Sequence, residues 1–165
     1  MDSRHTEILA LQCCEHRRKQ FKNTRRADEK NKSDLPRQGI RKIPEWIPAP
    51  VTPVFKFIAV GRLLDRKGFS EMIEAFAMLR QTNPAIVLDI YGEGKARKVF
   101  ESVIAKHQLE SSVTLHGMVP NAWKQIYHAH CFIFPSWYEG FSGALVEAMM
   151  TGVPIIASDI PMNME

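Results

Sequence analysis

Two carboxylates and two cations carry the chemistry that this sequence offers. Glu139 and Glu147 stand in E-x7-E spacing inside FIFPSWYEGFSGALVEAM, residues 132–149, while Arg62 and Lys67 stand inside GRLLDRKGF, residues 61–69. Paired carboxylates suit acid–base work or the binding of hydroxyls. Paired cations suit a diphosphate, which needs its charge neutralised and its oxygens hydrogen-bonded. Between the glutamates, Gly140, Phe141, Ser142 and Gly143 form a turn before an apolar, helix-favouring run, residues 144–150. A loop that leaves the carboxyl end of a strand and enters a helix aims free N–H groups and the positive end of the helix dipole at one point, which suits a phosphate or another anion. Glu139 precedes the turn and is placed to reach over whatever sits on the loop; Glu147, in the second helical turn, is placed to reach up toward a hydroxyl-rich ligand. A structural reading competes, because Ser136 followed by Glu139 also fits the S-x-x-E capping box at a helix start.

The cations have their own alternative. Arg62 and Lys67 flank a short loop ending where a helix begins, and cations there oppose the dipole, so they ask for an anionic partner. The plainer reading is a solvated loop in which they pair with Asp65 and Glu71. YGEGKAR, residues 91–97, is glycine-rich but lacks the P-loop spacing, and Arg97 stands where a dinucleotide fingerprint has its third glycine. A tight turn explains it. His128 and His130 have no third ligand nearby, and no Asp-x-Asp pair is present, so no metal is expected.

The elements that must position these residues follow from periodicity. Apolar runs at 55–60, 86–91, 113–115, 131–134 and 153–157 read as strands, the last after Gly152 and including Pro154. Helical spacing appears at Phe69, Met72, Ile73, Phe76 and Leu79, ended by Asn83 and Pro84, then at Val99, Phe100, Val103 and Ile104. A third helix, begun at Pro120 or Asn121, carries Trp123, Ile126 and Tyr127. Strand then helix, repeated at short loop lengths, predicts a doubly wound parallel α/β sheet. Ligands of such sheets bind beyond the carboxyl ends of the strands, which directs attention to Gly61 and Arg62, to residues 91–94, 116–119 and 136–143, and to Ser158 with Asp159.

The chain of 165 residues carries a net charge of +4. Its first fifty residues hold twelve Lys and Arg against seven Asp and Glu, so the basic character belongs to them alone. Such a segment could meet nucleic acid or an anionic membrane surface, but apolar residues become sparse after Cys14, and a solvated extension is the expected state. Prolines from Pro36 to Pro53 mark a linker, giving an extension over 1–53 and a folded domain over 54–165. Three cysteines in no framework spacing point to a reducing cytoplasm. No apolar run is long enough to span a bilayer, which leaves peripheral membrane association open.

GRLLDRKG after a strand, VTLHGMV at the third strand and FPSWYEGFSGALVEAMMTGVPIIAS together resemble the C-terminal, donor-binding half of family 4 retaining glycosyltransferases of the GT-B fold, the glycosyl transferases group 1. The resemblance runs from about Phe55 onward. It implies a nucleotide-sugar donor as substrate, no cofactor and no metal. Arg62 and Lys67 would hold the diphosphate, with Gly61 beside them, and Glu139 would contact the donor sugar. The amides of Gly140, Phe141, Ser142 and Gly143 would meet sugar and distal phosphate, Glu147 the ribose, and the segment containing Gly117 and Met118 the base. A glycosidase, which also uses two carboxylates, would have no use for a diphosphate site. Family members add a separate acceptor-binding domain and a C-terminal helix, so this chain is expected to be truncated or completed by a partner. The alternative is a catalytically inactive nucleotide-binding or interaction remnant.

Overall fold

In a computed structural model that describes residues 52–163, the apolar runs form five strands and four helices. The strands are β1 (Phe55–Val60), β2 (Ile86–Tyr91), β3 (Val113–Gly117), β4 (Cys131–Phe134) and β5 (Ile155–Ala157); the helices are α1 (Phe69–Thr82), α2 (Arg97–Lys106), α3 (Trp123–Ile126) and α4 (Gly143–Thr151). All strand pairs are parallel, in the order β3-β2-β1-β4-β5. Residues 1–51, which hold the basic extension and most of the linker prolines, lie outside the described residues, as do the last two.

The central strands β1, β2 and β4 are packed on both sides, which is why they read as near-continuous apolar runs, while β3 and β5 at the edges keep exposed positions such as His116 and Ile156. Side chains alternate along each strand: Ala59, Leu88 and Ile90 face a core with Phe69, Ile73 and Phe76 of α1 and Phe100 of α2. Ile58 and Phe132 face a second core with Ile126 of α3 and Leu145 and Ala148 of α4. Full burial of a side chain such as Leu88 or Ile90 contributes roughly 1.5–3 kcal/mol, so one polar substitution in either core would be felt. This is the doubly wound, Rossmann-like α/β fold that the sequence predicts.

Topology positions the site. From β1 the chain winds through β2 to β3, then returns to the other side of β1 for β4 and β5. The loops after β1 and β4 therefore diverge from neighbouring strand ends, the crevice in which such sheets bind ligands. Gly68 draws the two loops together. It is left-handed (φ 68°), and a Cβ on it would lie 2.0 Å from the carbonyl oxygen of Pro135, so only glycine allows the approach.

Three boundaries differ from the sequence reading. α3 starts at Trp123 rather than at 120 or 121, because Asn121 has φ 56°, a left-handed conformation that a right-handed helix cannot begin with. β5 starts at Ile155 rather than Val153: Gly152 ends α4 in a left-handed cap (φ 68°), and Val153 is buried in the second core. β3 runs on to Gly117, across a register shift against Ile90 and Tyr91 of β2.

Candidate functional site

Lys67 ends a short 3-10 turn after β1 (Asp65–Lys67), and Glu139 lies in the loop between β4 and α4. Their side chains meet in an ion pair, Lys67 Nζ donating to Glu139 Oε1. Glu139 is only 5% exposed and receives a second hydrogen bond from Ser136 Oγ at 2.6 Å. Burial pushes the Glu139 carboxyl up, but the hydrogen bonds from Lys67 and Ser136, with the charges of Lys67 and Arg66, outweigh it and hold the group below the ordinary glutamate value. It is an anion held ready inside the protein.

Further bonds tie the two loops. Trp137 N–H donates to the Arg66 carbonyl at 3.0 Å and Arg66 Nη1 to the Tyr138 carbonyl at 3.3 Å. The Trp137 indole donates to Glu71 Oε1 at 3.3 Å, in the first turn of α1. The two plainer readings of these motifs are thereby corrected. Ser136 bonds the Glu139 side chain rather than a helix-opening amide, and the helix begins only at Gly143, so Ser136-x-x-Glu139 is not a capping box. Among the described residues no ion pair joins Arg62 or Lys67 to Asp65 or Glu71: Lys67 is turned to Glu139, and Arg62 is exposed.

The start of α4 is open. Ser142, its N-cap, makes no side-chain capping bond, and its hydroxyl is buried without a partner, the residue being 8% exposed. Orphaned buried hydroxyls are uncommon. An added Cβ on Gly140 or Gly143 would meet nothing within 4 Å. Neither glycine has positive φ, so the packing of the described residues does not require glycine at these positions, whereas a ligand approaching the first-turn amides would. The first turn holds no acidic residue to satisfy the dipole. Glu147 is half-buried in the second turn.

The remaining candidates are spread along the other strand ends. Gly61 is packed against the Phe69 ring, 3.4 Å from an added Cβ, and its N–H donates to the Tyr91 carbonyl at 2.9 Å. Gly117 (φ 74°) ends β3, followed by Met118 at 81% exposure. The glycines of YGEGKAR serve packing: a Cβ on Gly92 would lie 1.8 Å from the Gly61 carbonyl oxygen, and one on Gly94 2.3 Å from that of Leu63. His116 stacks on Tyr91 (centroids 4.3 Å, 4° apart) and bonds Asp89 at 2.8 Å, while Asp89 pairs with Lys56 at 3.0 Å. His130 Nδ1 accepts the Lys56 N–H at 2.9 Å. Among the described residues no group of three or more His, Cys, Asp and Glu is arranged to hold a metal, and no helix is long and apolar enough to cross a membrane. Sequence reasoning missed Arg66 as part of the site, and it placed Ser136 among the strand-end residues 136–143 without giving it a role. The signal for Ser136 was present, but the capping motif offered another explanation for it.

The profile of the family described as glycosyl transferases group 1 matches residues 45–165. An uncharacterized glycosyltransferase of Methanocaldococcus jannaschii is 34% identical over 105 residues, 64% of this chain and 26% of that protein. The GtfA subunit of the UDP-N-acetylglucosamine–peptide N-acetylglucosaminyltransferase of Streptococcus pneumoniae is 32% identical over 108 residues, 65% of this chain and 21% of that one. The crystal structure of the pneumococcal O-GlcNAc transferase GtfA in complex with UDP and GlcNAc aligns with a TM-score of 0.62 at 26% identity, over 72% of this chain and 26% of that chain. The chain thus spans about a quarter of the length of these relatives.

Proposed function

Since the chain belongs to the glycosyl transferases group 1 and has the Rossmann-like fold of GT-B glycosyltransferases, we propose that it is the donor domain of a family 4 retaining glycosyltransferase, which binds a nucleotide-activated sugar for transfer to a glycan or lipid-linked acceptor. The observation that carries this reading is the Lys67–Glu139 pair at the switch point beside the open start of α4, where Ser142 keeps an unpartnered buried hydroxyl. A cation, free helix amides and a poised carboxylate converge there.

In this reading Lys67 and the exposed Arg62 neutralise the diphosphate, and the first-turn amides of α4 with Ser142 Oγ bind its distal phosphate. Glu139 accepts a hydrogen bond from a donor-sugar hydroxyl, Glu147 from the ribose, and the Gly117–Met118 backbone lies along the base. Cleavage of the sugar–phosphate bond leaves negative charge on the diphosphate, which Lys67, Arg62 and the α4 dipole would stabilise; charge stabilised by groups in place beforehand lowers the barrier. No metal is required for that step, and the protein acts in the cytoplasm.

The acceptor is held by a further domain or a partner chain. The Streptococcus pneumoniae relative is itself named as a subunit, and its structure holds UDP and GlcNAc, which makes UDP-N-acetylglucosamine the first donor to test. Calorimetric titration with UDP and with uridine tests the binding site: UDP is expected to bind at least about tenfold tighter, since two charge-assisted contacts are lost with the diphosphate. Equal affinity for the two would overturn the diphosphate site. Retention is tested on the product of the completed enzyme by its anomeric proton coupling; an inverted anomer would contradict it.

A further inference from the structure

The loop that carries Glu139 is fastened from below by serines. Ser136 is 1% exposed, and its hydroxyl points at Glu139 Oε1. Its carbonyl accepts from Ser158 Oγ at 2.5 Å, at the end of β5. Ser158 is fixed in turn, its N–H donating to the Phe134 carbonyl at 2.9 Å and its carbonyl accepting from Asn163 Nδ2 at 2.8 Å. The Ser136 hydroxyl is thus carried on a backbone clamped between β4 and β5.

Both side-chain donors to Glu139, Lys67 Nζ and Ser136 Oγ, fall on Oε1. Among the described residues none donates to Oε2. A carboxylate held by one long, flexible lysine could turn about its side-chain torsions; a second donor on a fixed backbone removes that freedom. We propose that Ser136 is a positioning residue for Glu139, holding Oε1 on the protein and turning Oε2 toward the donor sugar. The role rests on the donor-domain reading above, and it assigns the serine of the S-x-x-E motif to the sugar half of the ligand and not to the diphosphate half.

The test uses the whole chain with Ser136→Ala and Ser136→Cys, the second keeping the shape of the side chain while weakening its donor. Each is titrated calorimetrically with UDP and with UDP-N-acetylglucosamine across the acid range. Both variants are expected to weaken UDP-N-acetylglucosamine by about tenfold, the lower end for a hydrogen bond to a charged group, and UDP by less than about twofold. The charged groups facing Glu139 are Lys67 and Arg66, from the loop after β1, and both are retained. Loss of the Ser136 donor raises the Glu139 pKa, so the fall in UDP-N-acetylglucosamine affinity on acidification moves to higher pH, a shift that a purely structural serine would not produce. Equal losses for the two ligands, or unchanged affinity for both, would overturn the positioning role. Should the alanine variant fail to fold, the cysteine variant decides alone. A wild-type protein that binds UDP but not the UDP-sugar, or binds neither, would instead count against the donor reading itself and take this proposal with it.

Discussion

Lys67 and Glu139, 72 residues apart in the chain, join side chain to side chain across the gap between β1 and β4. Both are largely withdrawn from water, with side-chain exposures of 13% and 6%. Ions so placed gain from each other but lose hydration, and the balance rarely favours the fold by much. Stability alone therefore does not account for the pair, and the proposed donor site gives it a role.

Removing one partner should therefore cost more than removing both charges. Lys67→Met leaves Glu139 buried without its cation and is expected to lower stability by about 3–5 kcal/mol, the range for breaking a buried ion pair from one side. Adding Glu139→Gln should recover part of that loss. Urea unfolding of wild type, both single variants and the double variant measures it, and strictly additive losses would show that the two groups are not coupled.

The pair also predicts an acid limb. The folded-state pKa of Glu139 lies below its unfolded value, so its contribution is fully present above the unfolded value, about 4.3, and is lost as pH falls through the folded one. In Lys67→Met the carboxyl loses its largest favourable partner and its pKa rises toward or above the unfolded value, so the stability that this group loses in acid shrinks or reverses, and the variant's deficit near neutral pH should narrow as pH falls below about 4.3. Urea unfolding of the two proteins at neutral and acid pH that gives the same deficit at both would contradict this.

Two glycines should respond in opposite ways. Gly68→Ala places a Cβ against the Pro135 carbonyl at a positive φ, and backbone strain of this kind costs about 1–3 kcal/mol before the clash is counted. Gly140→Ala meets open space, so its melting temperature should stay near that of wild type while UDP-N-acetylglucosamine binding weakens. A stable Gly68→Ala protein, or Gly140→Ala with unchanged ligand affinity, would be the contrary results.

Ser142 offers a trade between stability and binding. Its hydroxyl is buried without a partner and caps nothing, so Ser142→Ala should hold stability or raise it by up to about 1 kcal/mol. UDP affinity should fall. Loss of stability without loss of UDP binding would make the serine structural.

Local pattern made the fold legible: β1, β2 and β4 are apolar runs bounded by Gly61, Gly92 and Pro135, and α1 repeats its buried positions three and four apart. Where the reading failed, a single backbone conformation decided, as at Asn121, whose left-handed φ delays α3, and at Gly152, whose left-handed cap shortens β5. The candidate site was legible as motifs but not as contacts. Glu139 and Lys67 were each visible, yet their union depends on the β1–β4 neighbourhood and on the Gly68–Pro135 approach, neither of which a linear pattern encodes. The same blindness made Ser136 look like a cap.

The most direct test of the account is a calorimetric titration of wild type and Lys67→Ala with UDP and with uridine. If Lys67 is the diphosphate cation, the substitution weakens UDP by about 1.5–3 kcal/mol, the range for a hydrogen bond to a charged group, and leaves uridine nearly unchanged, since in the proposed reading base and ribose would be held by the Gly117–Met118 backbone and Glu147. Equal losses for the two ligands, or UDP binding untouched by the substitution, would contradict it.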